Sequence, residues 1–383
     1  MSGFGFELLK TDETTMARRG RITTPHGVIE TPVFMPVGTR AVVKTLTPEE
    51  VASAGAQIVL SNAYHLMLRP GVEIIEAAGG LHEFMGWHRP ILTDSGGFQI
   101  FSLSPLVKLT DEDVTFRSPV DGSSHTLSPE SCMDLERRLG ADIIMTLDQL
   151  VPYPSDEAVV EEGVRRTTDW ARRCKKAFAA RDDGSQALFG IVQGGAYERL
   201  RRESAEAIVE LDFTGNAIGG LSVGESREVM VEVLASTAPL LPARKPRYLM
   251  GLGDPAGMLE AILAGVDMFD SALPTRMARN GTVFTSRGRV NIKNAVHARS
   301  FEPLDPACSC YTCTHFTKAY LRHLFVLGEI LAHRLLTYHS LFYLSGLISE
   351  ARDAIVGGGI NEFVKSRRGV FEAREEVRDS AGP

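Results

Sequence analysis

The chain has 383 residues, 41 Lys plus Arg against 48 Asp plus Glu, and 44% apolar residues. At about 150 residues per domain, this fits two domains or one large domain with an appendage, and the ordinary composition excludes a largely disordered chain. The net charge of −7 excludes a protein coated in positive charge, but leaves room for a local basic patch facing nucleic acid. The start of the chain has early acidic residues and no apolar signal-peptide core. Charged or His residues interrupt every long apolar run, so no membrane helix is expected and the expected address is the cytoplasm.

Residues 5–35 read as extended segments around His26 and Gly27, a small sheet expected beneath the main fold. Eight short apolar runs follow, at 33–37, 58–62, 91–94, 142–148, 188–193, 217–221, 248–251 and 266–270. They are continuous, not alternating, as in strands covered on both faces of a parallel sheet. Helical patterns lie between them. Thr47, Pro48 and Glu50 open 48–55 with a capping box, and Ser128 and Pro129 open 129–139. The stretch 156–179 sets Val160, Val164, Thr168, Ala171, Cys174 and Phe178 along one face. Further helices fit 197–210, 225–235 and 256–264. Cys132 and Cys174, inside such patterns, read as small buried residues.

The segment 106–127 reads as a hairpin around Asp121 and Gly122, inserted after the third strand. Eight strands alternating with helices is the count of an α/β fold of the (β/α)8 TIM-barrel kind. A doubly wound sheet is the competitor. No G-x-G-x-x-G follows the first strand, and glycine pairs are spread over many strand ends, which suits a barrel mouth. Residues 271–300 read as a loop rich in Arg, Asn and Gly. A long helical stretch follows over 316–336, then a helical tail over 347–370 and a frayed end over 371–383.

In such a barrel the reactive groups stand at the C-terminal ends of strands, which selects Asp94, Asp148, Gln193, Met250 and Asp270. Facing carboxylates can act as nucleophile and acid/base at a glycosidic carbon; they can also hold a metal, or simply cap helices. In Asp94-Ser95-Gly96-Gly97-Phe98-Gln99, glycines let backbone and ring approach a flat ligand, and Gly219-Gly220-Leu221-Ser222 offers a second such approach. With Asp148 and Gln193 this could bind the edge of a purine-like base stacked on Phe98 or Met250. Arg276 and Arg279, followed by Arg287, Arg289 and Lys293, form a basic rim beside Asp270. That pairing suits a polyanion whose reacting part is neutral.

Cys308, Cys310 and Cys313 offer three thiolates within six positions. Tetrahedral zinc needs one more ligand, and His315, His323, His333 and His339 are the candidates. His339 is favoured, because the chain could return to the cluster there at the end of the long helical stretch. A site with no open position implies structural zinc, one per subunit. The expected domains are a barrel over 1–300, a zinc-binding subdomain over 301–345, and a helical segment with its tail over 346–383.

The motifs DSGGFQ (94–99), FGIVQG (189–194), IGGLSVGE (218–225), YLMGLG (248–253), FDSALPTRMARNG (269–281) and CSCYTC (308–313) together resemble the tRNA-guanine transglycosylase family over about residues 6–370. The resemblance implies base exchange at the wobble guanosine of tRNAs with GUN anticodons (the Asp, Asn, His and Tyr type), in queuosine biosynthesis. It implies Asp270 as the nucleophile that forms a covalent ribosyl intermediate and Asp94 as general acid/base. It implies base contacts from Asp148, Gln193, Gly220 and Leu221, with Phe98 and Met250 as walls, and anticodon contacts from Arg276 and Arg279. Cys308, Cys310, Cys313 and His339 match the zinc ligands. A homodimer is implied, and no nucleotide cofactor.

The chain departs from the bacterial pattern at Phe98 (Tyr there), Leu150 (Cys), Ser222 (Ala) and Met277-Ala278, while Val223 and Asn280 keep it. Phe98 and Ser222 lean toward the eukaryotic catalytic subunit, which takes queuine itself. The favoured incoming base is 7-aminomethyl-7-deazaguanine, with queuine the alternative. Archaeal relatives carry an extra C-terminal RNA-binding domain for which this chain has no room, so wobble chemistry is favoured. A non-catalytic tRNA-binding subunit is the alternative outside enzymes; Asp94 and Asp270, both in their motifs, argue against it. A metal-dependent hydrolase would want His at the strand ends, which carry none, and a glycosidase acting on neutral sugar would not need Arg276 and Arg279.

Overall fold

A three-stranded antiparallel sheet opens the chain: β1 (Gly5–Thr11), β2 (Arg18–Thr24) and β3 (Gly27–Thr31). The computed structural model describes residues 3–103 and 107–372. Ile22 and Ile29 of the opening sheet are fully buried in one core with Met35, Leu92, Ile143 and Phe189. At the β2–β3 turn, His26 meets Asp142 at 2.8 Å, next to the start of a later strand. The sheet therefore plugs the N-terminal ends of the strands that follow, as its place in the sequence suggested.

Those strands are β4 (Val33–Pro36), β5 (Val59–Asn62), β6 (Ile91–Asp94), then, after an excursion, β10 (Ile143–Met145), β11 (Ala187–Val192), β12 (Gly215–Ile218), β13 (Arg247–Leu249) and β14 (Met268–Ser271). All neighbouring pairs are parallel, in the order β4-β14-β13-β12-β11-β10-β6-β5. A parallel bridge between Val37 and Leu60, with the Gly38 N–H on the Leu60 carbonyl at 2.6 Å, brings the last strand back to the first. The fold is an eight-stranded TIM-type barrel. Within β10, Ile143 and Met145 enter the inner core while Ile144 joins the larger core under the helices. Both faces are covered, which is why these strands lack a polar alternation.

The helices Pro129–Leu139, Glu157–Ala179, Glu198–Glu210, Arg227–Thr237 and Pro255–Leu263 lie within two residues of their sequence patterns. Cys132 and Cys174 are buried in the first two. Among the described residues, no helix is long and apolar enough to cross a membrane.

Several expectations need correction. The inserted hairpin is a three-stranded sheet, β7 (Val107–Leu109), β8 (Val114–Arg117) and β9 (Ser124–Leu127); its residues 104–106 fall outside those described. The additional strand arises because Thr110 Oγ1 accepts the N–H groups of Glu112 and Asp113 and folds a tight turn. The segment 271–300 is not simply a loop. It holds the helix Leu273–Arg279, started by Pro274, and the hairpin of β15 (Thr282–Thr285) and β16 (Gly288–Asn291).

The stretch 316–336 is two helices, Lys318–Val326 and the beginning of Ile330–Gly357, separated at Gly328, whose φ of +75° ends the first. His339 thus lies within the second helix, not at its end. The tail is interrupted at Gly358, a left-handed C-cap, before the helix Ile360–Glu372. Most of the frayed end expected over 371–383 lies outside the described residues.

Candidate active site

Asp148 stands three residues beyond β10, and Gln193 and Met250 just past β11 and β13, so the strands are shorter than their apolar runs. Asp94 ends β6, and Asp270 lies inside β14. Even so, all of them line one cavity of about 730 Å³ at the barrel mouth. Phe98, Gly219, Gly220, Leu221 and Arg276 line it too, as do Leu150 and Ser222. Arg279 does not. It sits three residues after Arg276 on the helix Leu273–Arg279, half-buried, with its pKa lowered by burial and then by Arg276. Phe98 is 47% exposed, so its ring offers an open face to a ligand.

The carboxylates are held in different ways. Strand register sets Asn62 of β5 beside Asp94 of β6, and Asn62 Nδ2 donates to Asp94 Oδ2 at 2.8 Å. Burial raises Asp94 to about 6; the hydrogen bond from the Gly96 N–H opposes this, and the charge of Asp270 adds to it. Gln193 Nε2 donates to Asp148 Oδ2 at 2.6 Å. Burial raises Asp148 to about 7, the Gln193 bond opposing and Asp94 adding. A side chain at Gly97 would place its Cβ 2.5 Å from Asp148 Oδ1. This close approach explains the second glycine of the DSGG segment.

Asp270 Oδ1 accepts the Tyr248 hydroxyl at 2.6 Å and the Gly251 N–H at 2.7 Å. Burial raises its pKa too, with these two donors opposing. The arrangement leaves the second oxygen, Oδ2, with no hydrogen-bond partner among the described residues. Across the mouth, Glu225 takes the Ser222 N–H and also, at 3.0 Å, the Val223 N–H. Ser222 has a φ of +59°, a strained value for a residue with a side chain.

Sequence reasoning missed Tyr248, Asn62, His65 and Glu225. Tyr248 passed as a strand residue, although a buried Tyr needs a partner for its hydroxyl. Asn62 ends an apolar run much as Asp94 does, and that signal was available. His65, which lines the cavity and has its pKa lowered by burial and by Arg40 and Lys44, carried none.

Away from the mouth, Cys308, Cys310, Cys313 and His339 form one cluster. The three sulfurs lie 3.7, 3.5 and 3.3 Å from His339 Nδ1. A tetrahedron with Zn–S of about 2.3 Å and Zn–N of about 2.0 Å has S···N edges of about 3.5 Å. His339 Nε2 donates to the Phe284 carbonyl at 2.9 Å, which leaves Nδ1 as the lone-pair nitrogen a metal needs. The donor set fits a structural zinc ion that would tie the segment 308–313 to the helix Ile330–Gly357. His315, His323 and His333 are outside the cluster.

Comparison with known proteins agrees with this geometry. The family model described as "Queuine tRNA-ribosyltransferase" matches residues 12–373. A queuine tRNA-ribosyltransferase of Halothermothrix orenii is 56% identical over 358 residues, covering 94% of this chain and 95% of the relative. That of Desulforudis audaxviator is 57% identical over 353 residues, 92% of this chain and 94% of the relative. One from Thermoanaerobacter sp. (strain X514) is 54% identical over 376 residues, 98% and 100% of the two chains. The chain belongs to the queuine tRNA-ribosyltransferase family and is a pentosyltransferase of the tRNA-guanine transglycosylase type.

Proposed function

We propose that this protein replaces the wobble guanine of tRNAs with GUN anticodons, those of the Asp, Asn, His and Tyr type, by 7-aminomethyl-7-deazaguanine through a covalent intermediate on Asp270. The observation that carries this reading is the pairing of two buried carboxyls in one cavity. Asp270 has one oxygen doubly held and the other without a hydrogen-bond partner among the described residues, and Asp94 is raised to about 6.

In the first half-reaction Asp270 Oδ2 attacks C1′ of the ribose, and the bond from C1′ to N9 of guanine breaks. The electron pair leaves with the base, and Asp94, as the acid, supplies the proton it takes up. The oxocarbenium-like state between is stabilised by the carboxylate it is about to join. In the second half-reaction Asp94 accepts the N9 proton of the incoming base, N9 attacks C1′, and the ester bond to Asp270 breaks. The ionised Asp148 accepts donors on the base's pyrimidine edge, while Gln193 and the backbone at Gly220 and Leu221 face its oxo group. Phe98 and Met250 hold the ring. Arg276 at the rim, with Arg279 behind it, neutralises phosphates beside the reacting nucleotide.

Two features favour the aminomethyl base. Glu225 holds the Ser222 N–H, and because a trans peptide is planar the Leu221 carbonyl points away from Glu225. It accepts no hydrogen bond among the described residues and can take one from an ammonium group. Leu150 narrows the cavity it lines. The protein works as a homodimer in the cytoplasm; the exposed Val326, Leu327 and Ile330 at the turn in the zinc-binding region supply an apolar surface for the contact. Radiolabelled guanine exchange into unmodified tRNA tests the reading, with the aminomethyl base and queuine compared side by side. Tight tRNA binding without exchange would reduce the protein to a binding subunit.

A further inference from the structure

Arg201 is only 1% exposed, yet among the described residues its hydrogen bonds go to backbone carbonyls and none to a carboxylate. It projects from the helix Glu198–Glu210. Nε donates to the Gly195 carbonyl at 2.8 Å, Nη1 to Gly219 at 2.7 Å and Val192 at 3.3 Å, and Nη2 to Gly220 at 3.3 Å. These carbonyls belong to the ends of β11 and β12 and the loops after them, which also carry Gln193 and Gly219–Leu221. From the same helix, Ser204 Oγ accepts the Gln193 N–H at 3.0 Å. One helix face thus grips both loops. A buried guanidinium with no ion-pair partner in contact among the described residues is expensive to desolvate, and burial pushes Arg201 down to about 9, the more distant charge of Glu225 opposing.

The direction of the grip matters. In a planar trans peptide the C=O and N–H point oppositely. Turning the Gly219 carbonyl toward Arg201 turns the Gly220 N–H away from it, and the Gly220 carbonyl does the same for the Leu221 N–H. Neither N–H has a hydrogen-bond partner among the described residues, and both residues line the cavity. Gly220 sits at φ +67°, and a Cβ there would stand 2.4 Å from Gln193 Oε1. The loop is therefore interlocked with the one side chain that also bonds Asp148.

We propose that Arg201 is a positioning residue for base recognition: its fork of donors holds the Gly219 and Gly220 carbonyls so that the Gly220 and Leu221 N–H groups face the cavity as a preformed pair of donors to the oxo group of a purine-like base. This rests on the base-exchange reading. Arg201 touches neither base nor ribose, and acts only through the two peptide units.

The test is exchange kinetics on the full-length protein and its Arg201→Lys variant, which keeps the charge but loses the fork. The KM for free guanine is measured separately from that for tRNA, with 2-aminopurine, which lacks the oxo group, as a competing probe. The expected result is a guanine KM raised at least tenfold, a tRNA KM within twofold of wild type, and a loss of most of the discrimination against 2-aminopurine. Arg201→Gln, whose planar amide keeps two N–H donors in a fixed fork, should recover part of that discrimination, and it serves alone if the lysine variant does not fold. A variant with reduced kcat or lowered Tm but wild-type guanine KM and discrimination would overturn the proposal and leave Arg201 a packing residue. Wild-type protein that incorporates no guanine would overturn the base-exchange reading, and this proposal with it; active wild type with unaltered variants would overturn this proposal alone.

Discussion

The Tyr248 hydroxyl donates to Asp270 Oδ1 at 2.6 Å, from a ring buried in the barrel's inner core. Burial and the neighbouring Asp270 keep Tyr248 a neutral phenol by raising its pKa well above the usual value. A neutral donor there stabilises the ionised carboxylate against the burial that raises it. Tyr248→Phe removes a hydrogen bond to a charged group, worth about 1.5–3 kcal/mol, so kcat/KM should fall about ten- to hundredfold. Asp270 should then stay protonated to higher pH, moving the acidic limb of the pH–rate profile upward. A profile unchanged in position would show that Tyr248 does not tune Asp270.

Asp148 has a second pH signature. It keeps its proton up to about 7 in the folded protein, against about 3.9 in an unfolded chain. The stability linked to this group is therefore fully present below about pH 4, falls as pH rises, and is lost above about 7. Asp148→Asn removes the buried charge, so its Tm relative to wild type should be higher at pH 8 than at pH 5. Only the ionised carboxylate accepts from two donors, so guanine affinity of the wild type should weaken as pH falls through 7. Thermal melts and guanine titrations at the two pH values check both. A Tm difference independent of pH would mean that Asp148 is solvated in the free enzyme.

Much of this was legible in the sequence, for physical reasons. Strands covered on both faces leave unbroken apolar runs, as at Ile143–Met145, and Ser128-Pro129 announced a helix start to the residue. Strand ends point to a barrel mouth, so Asp94, Gln193 and Asp270 could be gathered before any coordinates. Partners set by register could not. Asn62 meets Asp94 across two strands, and Tyr248 reaches Asp270 diagonally, neither of which any local spacing encodes. The helix Leu273–Arg279 was hidden by flanking Gly, Asn and Arg, and by a Pro that begins the helix instead of ending one.

The metal site yields a stability prediction. Structural zinc contributes folding free energy directly, and Cys310 and Cys313 lie in the small core that includes Leu321, Leu335 and Leu336. Cys310→Ala should reduce bound zinc and expose amides of 301–345 to hydrogen exchange before those of the barrel. Elemental analysis and exchange mass spectrometry measure the two effects. Full zinc occupancy in the variant would remove Cys310 from the required ligands.

Leu150 lines the cavity, and each methylene-sized misfit in such a pocket is worth about 1–3 kcal/mol. The aminomethyl base should therefore be used at least tenfold more efficiently than queuine, whose cyclopentenediol needs more room. Leu150→Ala should narrow that ratio. Equal or better use of queuine by the wild type would make this a salvage-type member of the family.

The most direct measurement is the search for a covalent adduct. Wild-type protein is incubated with unmodified tRNA bearing a GUN anticodon, denatured, and resolved by electrophoresis beside Asp270→Asn and Asp94→Asn. Nucleophilic catalysis by Asp270 predicts a shifted protein–tRNA band for the wild type and none for Asp270→Asn, although that variant still folds and binds tRNA. An adduct that persists in Asp270→Asn would contradict the mechanism and place the nucleophile elsewhere.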